Sequence, residues 1–99
     1  MKVTVEALPW LGEAFGGTRS ARHVFEVEME ADATLASLLH KLAREYPSFR
    51  RVLYDPDTGD FSERVLVALN DHLPELLDGY KTSLRPGDRI TLMQAYAGG

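Results

Sequence analysis

The sequence predicts one α+β domain of two layers, a mixed sheet of four to five strands with one main helix packed on one face. Three observations carry this. Residues 3–7 and 25–29 alternate in polarity with a period of two, residues 35–46 carry one apolar stripe at helical spacing, and two further strand-like runs follow the helix.

Each element follows from its residues. Val3, Val5 and Ala7 point one way while Lys2, Thr4 and Glu6 point the other, which is the signature of a half-buried strand. Pro9 and the glycine-rich stretch Gly12–Gly17 end it. Phe25, Val27 and Met29 then face a core, with Glu26 and Glu28 toward water, so the two strands form an antiparallel pair joined by a long loop. Leu35, Leu38, Leu39, Leu42 and Tyr46 fall on one helix face. Thr34 is placed to cap the first turn, Asp32 adds negative charge near it, and Pro47 disfavours helical geometry at Tyr46, ending the helix there. Asp55–Asp60 is a dense turn signal. Val65–Leu69 is apolar throughout, as expected of a strand covered on both faces or lying inside the sheet. Asn70-Asp71 turns the chain, residues 73–77 suggest a short edge strand, and Pro86-Gly87-Asp88 turns it again into a last strand from Arg89 to about Ala95.

Composition excludes more than it assigns. Ninety-nine residues allow one modest core. No apolar run reaches the ~20 residues of a membrane span, and the N-terminus alternates in polarity and meets an acid at once, unlike a signal peptide, so a cytoplasmic location is expected. The absence of cysteine rules out disulfides, thiolate metal sites and a cysteine nucleophile on this chain. A net charge of −4 argues against general binding to nucleic-acid phosphates.

Local motifs for catalysis are weak. The stretch Gly12–Arg19 lacks the Lys-Ser/Thr of a phosphate-binding loop and precedes a strand rather than a helix. Asp55, Asp57 and Asp60 lack calcium-loop spacing, with Leu66 where a glutamate would be needed. His23, His40 and His72 sit on three different elements without ligand spacing, and Ser62 beside Glu63 has no evident base and orienter, so neither a metal site nor a catalytic centre is expected. Arg44, Arg50 and Arg51 cluster around the end of the helix. They read as compensation of the helix dipole on a solvated face, or as a docking patch for an acidic partner surface. Leu66, Met93 and Tyr96 could form an apolar docking face, because a single helix leaves the other side of the sheet open.

The chain ends in Tyr96-Ala97-Gly98-Gly99. With glycine at about 7% of residues, two in succession at a chosen position arise by chance at roughly 0.5%. Thr34-Leu35 opening the helix, the apolar strand into Asn70-Asp71, the Pro86-Gly87-Asp88 turn and the terminal Ala97-Gly98-Gly99 together resemble the molybdopterin-synthase small subunit and ThiS-type sulfur carriers, which share the ubiquitin-like β-grasp fold. The pattern covers nearly the whole chain, and its specific part is the last fifteen residues or so. The insert Asp55–Arg64 is similar to the branch of carriers that serves cysteine synthesis. Many relatives carry a proline-containing pair before the tail, where this chain has Gln94-Ala95.

The resemblance implies a β-grasp domain over residues 1–95 and a flexible diglycine tail over 96–99. It implies a protein substrate rather than an enzyme, with no bound cofactor. An E1-like adenylating enzyme would use ATP on the Gly99 carboxylate, a sulfurtransferase or persulfide donor would convert it to a thiocarboxylate, and an acceptor would take the sulfur. That acceptor could be a molybdopterin-synthase large subunit or a thiazole synthase, or the sulfur could go to cysteine or to tRNA thiolation. Gly98 and Gly99 lack a Cβ and can thread a narrow channel toward an α-phosphate, with Tyr96 and Ala97 at the base of the tail. Two other roles stay open on sequence: a ubiquitin-like modifier joined through Gly99 to lysines, and a β-grasp module that binds without covalent chemistry.

Overall fold

A computed structural model describes residues 1–18, 20–73 and 79–95. Its elements are β1 (Lys2–Ala7), a 3-10 turn (Gly12–Phe15), β2 (His23–Glu28), α1 (Leu35–Glu45), α2 (Pro47–Leu53), β3 (Val65–Leu69), a second 3-10 turn (Gly79–Lys81) and β4 (Arg89–Gln94). The strands form one mixed sheet in the order β2-β1-β4-β3. β1 pairs antiparallel with β2, Val3 opposite Val27 and Val5 opposite Phe25, and parallel with β4, Val5 opposite Ile90. β3 pairs antiparallel with β4, Val67 opposite Leu92. This is the β-grasp arrangement, with the two strands farthest apart in sequence lying side by side at its centre.

α1 forms where the apolar stripe lies. Thr34 is extended and accepts a hydrogen bond on its hydroxyl from the Ser37 N–H at 3.2 Å, while Ser37 Oγ accepts from the Thr34 N–H at 2.8 Å. This reciprocal pair satisfies donors that the helix start would otherwise leave open. Leu35, Leu38, Leu39 and Leu42 are wholly buried against Val3, Val5, Ile90 and Leu92 of the sheet. At roughly 1.5–3 kcal/mol for each large apolar side chain removed from water, this layer supplies most of the folding drive.

Pro47 ends α1 as expected, but it also starts a second helix that the sequence reading did not include. As the first residue of α2 it needs no partner for its missing N–H, and its fixed φ suits a helix start. α2 buries Phe49 and Leu53, and Phe49 packs on Phe15 with ring centroids 4.7 Å apart. The loop after β1 thus contributes Leu11 and Phe15 to the core. The sheet has four strands among the described residues. Most of the short strand expected at residues 73–77 lies outside the described residues, and Leu73 itself is exposed.

β3 departs from the expected interior or doubly covered strand: it lies at one edge of the described sheet, with Val65, Val67 and Leu69 buried on one face, while on the other face Ala68 is buried and Leu66 is 46% exposed. The helices cover one side of the sheet only, so an apolar run at this position leaves an apolar side chain in water.

The two turns that flank the central pairing hold each other. Pro86-Gly87 occupies the middle of a turn closed by the Asp88 N–H on the Arg85 carbonyl at 3.1 Å, and Gly87 sits at φ +83°, as the third residue of a type II turn must. Asp88 accepts from the Arg85 N–H at 2.7 Å and from Asn70 Nδ2 at 2.9 Å, while Asn70 Oδ1 accepts from the Arg89 N–H at 2.9 Å. Asn70 and Asp71 both adopt left-handed backbone, at φ +50° and +70°. The Asn70-Asp71 and Pro86-Gly87-Asp88 motifs are therefore one hydrogen-bonded clamp.

Candidate functional site

The expected reactive end, Gly99 with Gly98, Ala97 and Tyr96, lies outside the described residues. Its root is described. β4 runs to Gln94, opposite Val65, and the Ala95 N–H donates to the Arg64 carbonyl at 2.8 Å. The chain is thus held by ladder bonds up to Ala95, the last residue before the expected tail.

The open face of the sheet follows from strand alternation. β3 presents Leu66, β4 presents Arg89, Thr91 and Met93, β1 presents Lys2, Thr4 and Glu6, and β2 presents Val24, Glu26 and Glu28. Leu66 stands directly opposite Met93, so two of the three apolar residues expected to dock a partner are brought together, with one residue pair between them and Ala95, while the third, Tyr96, lies outside the described residues. Val24 is also exposed, at the far edge of the same face. Apart from the buried Ala68, the remainder is charged or hydroxylic. Glu28 is held below the usual carboxylate value by the N-terminal ammonium, which donates a hydrogen bond to it at 2.8 Å, with smaller help from Lys2 and Lys41.

Arg44, Arg50 and Arg51 lie on the other layer. Arg44 is in the last turn of α1, and Arg50 and Arg51 are in the last turn of α2. The expected docking residues therefore belong to two surfaces, an apolar pair on the sheet and a basic cluster on the helices. Arg64, which the sequence reading did not assign, joins that cluster: its Nη2 donates to the Arg51 carbonyl at 3.1 Å and to the Tyr54 carbonyl at 3.2 Å. No local spacing reveals this, because α2 and the turn after it must fold before Arg64 can reach.

The insert between α2 and β3 is ordered by its own bonds. Tyr54 bridges to Phe61, the Asp55 N–H donates to the Asp60 carbonyl at 2.8 Å, and Asp55 Oδ1 accepts from the Asp57 N–H at 2.8 Å. Ser62 is buried with its hydroxyl donated to the Val52 carbonyl at 2.6 Å, which gives it a structural task. Phe61 packs against His40 and Tyr80 at centroid distances of 5.1 and 4.7 Å. Among the described residues no helix is long and apolar enough to cross a membrane.

Comparison with known proteins places this geometry. A family model described as the ThiS family matches residues 14–99. A search of the curated proteins finds no match. Among solved structures, SAMP1 from Haloferax volcanii superposes with a TM-score of 0.78 at 20% identity, covering 100% of both chains. CysO from Mycobacterium tuberculosis gives 0.69 at 26% identity, covering 95% of this chain and 99% of that one. The CysO of Amycolatopsis orientalis, solved in a complex with BexX, gives 0.68 at 22% identity over 98% and 99% of the two chains. At such identities the first and third of these likenesses are likenesses of fold.

Proposed function

This chain belongs to the ThiS family of small ubiquitin-like sulfur carriers, and we propose that it carries sulfur as a thiocarboxylate on Gly99. The observation that carries the reading is the reach of the family match, which runs from residue 14 through Gly98 to Gly99 itself. The anchoring of the chain up to Ala95 supports it, since a rigid root fixes where a following tail is offered.

The chemistry explains why such a terminus needs a partner. A carboxylate resists nucleophiles because its charge and resonance repel them. One carboxylate oxygen attacks the α-phosphorus of ATP in the active site of an E1-like enzyme, and pyrophosphate leaves. A persulfide sulfur then attacks the acyl carbon and expels AMP, forming an acyl disulfide. A thiol of the donor system attacks the outer sulfur, breaks the S–S bond and is oxidised to a disulfide, releasing the thiocarboxylate. None of these steps asks this chain for a base or a metal. It acts as protein substrate, in the cytoplasm where ATP is available, and hands its sulfur to an acceptor enzyme. Leu66 and Met93 form the apolar part of the surface that the partner covers while it holds the tail, because they are the large apolar side chains on the open face nearest its root.

The test is intact mass. Incubation with ATP, the E1-like enzyme from the same genome and a persulfide donor shifts the chain by the oxygen-to-sulfur mass difference, and deleting Gly99 abolishes the shift. A shift that persists after the deletion, or none in the intact chain, overturns the reading.

A further inference from the structure

The helix layer carries a charge pattern opposite to that of the whole chain. The net charge is −4, yet Arg44, Arg50, Arg51 and Arg64 gather around Tyr54. Arg50, Arg51 and Arg64 line one groove of about 830 Å³ with Tyr54 in its wall, and Arg44 and Arg50 line an adjoining one of about 360 Å³ that shares Tyr54. All four arginines are exposed, and none forms an ion pair with a carboxylate among the described residues. Asp55 also lines the larger groove, but its Oδ1 accepts from the backbone of its own turn. One carboxylate among these four guanidinium groups leaves the cluster with a net positive charge, and like charges so crowded repel one another, a cost that a bound anion would relieve.

Arg64 connects this groove to the tail. Its guanidinium braces the end of α2 through the Arg51 and Tyr54 carbonyls, and its own carbonyl holds the Ala95 N–H. Any protein that encloses residues 96–99 must stand over Ala95, within side-chain reach of the groove mouth. We propose that this groove receives a carboxylate-rich loop of the enzyme that adenylates Gly99. The proposal rests on the carrier reading and adds to it a second contact, separate from Leu66 and Met93. Guanidinium groups suit the ligand, because each can hold a carboxylate by two parallel hydrogen bonds. Such a contact speeds encounter and weakens with salt.

The experiment measures ATP–pyrophosphate exchange by the E1-like enzyme of the same genome, with the full chain as the varied substrate. Arg50→Glu combined with Arg51→Glu raises KM about tenfold, equivalent to about 1.4 kcal/mol, with kcat unchanged. The Arg50→Lys, Arg51→Lys pair keeps most of the affinity. Raising salt increases KM for the wild type and hardly moves the glutamate variant. Arg44→Glu, on the other helix, moves KM in the same direction and provides an independent variant should the double one fail to fold. If the wild type supports exchange and the folded glutamate variants share its KM at low salt, this proposal alone falls. If the wild type supports none, the carrier reading falls with it. Binding of the wild type to bulk tRNA that the glutamate variants lose, with KM unchanged, assigns the groove to phosphates and also overturns the proposal.

Discussion

Replacing Asp88 with alanine tests whether the Pro86-Gly87-Asp88 turn holds the fold or meets a partner. The Asp88 carboxylate accepts from the Arg85 N–H at 2.7 Å and from Asn70 Nδ2 at 2.9 Å. Hydrogen bonds to a charged group contribute roughly 1.5–3 kcal/mol each when well shielded. Asp88 is half-buried, so about 1 kcal/mol each is the better figure here, and Asp88→Ala costs about 2 kcal/mol in all. For a domain of this size that lowers Tm by about 8–16 °C. Asn70 sharpens the test. Asn70→Ala loses its two side-chain bonds and also leaves a Cβ at φ +50°, whereas Asn70→Gly loses the same bonds without that strain. Asn70→Gly is therefore the milder change by about 1 kcal/mol. Thermal unfolding followed by circular dichroism measures all three, and pyrophosphate exchange well below each Tm gives wild-type rates. The reasoning is refuted if Asp88→Ala leaves Tm in place and abolishes exchange, which would make the turn a contact surface, or if Asn70→Gly is as damaging as Asn70→Ala.

Two further outcomes are expected. Leu66→Thr keeps a strand-favouring side chain at an exposed position, so stability stays within about 0.5 kcal/mol of wild type, while KM for adenylation rises about fivefold as apolar contact is lost. Unchanged exchange kinetics would remove Leu66 from the partner surface. Glu28→Gln removes a carboxyl whose folded pKa is lowered from 4.5 by the N-terminal ammonium. A lowered folded value means that the stabilisation is present above pH 4.5 and is lost as pH falls through the folded pKa. Urea midpoints of wild type and variant should thus differ at neutral pH and converge on acidification, with the gap narrowing in high salt. A gap that widens in acid contradicts the assigned ion pair.

What was legible in the sequence was what short-range chemistry decides. Thr34 and the leucine stripe defined α1, and polar alternation defined β1 and β2, because capping and periodicity act over a few residues. α2 escaped notice because Pro47, read as a stop, is equally good as a first helical residue, and seven residues are too few to show a period. The apolar run of β3 suits a strand covered on both faces or lying inside the sheet, and composition does not reveal a strand's place at an edge of the described sheet. The pairing of Leu66 with Met93 depended on register, and the inclusion of Arg64 among the basic residues depended on the packing of α2. For residues 96–99 the reading rests on sequence and family.

The parallel pairing of β1 with β4 governs how the molecule must form. Val5 meets Ile90 only after nearly the whole polypeptide between them has been looped out, and closing so long a loop delays the contacts that would repay it. α1 and the β1–β2 pair can gather early, since their contacts are local, but the sheet lacks its middle until β4 inserts between β1 and β3. A chain clipped before β4 would lose the ladder partner of both β1 and β3 together with the buried Ile90 and Leu92, so completing this sheet requires the same strand that leads into residues 96–99.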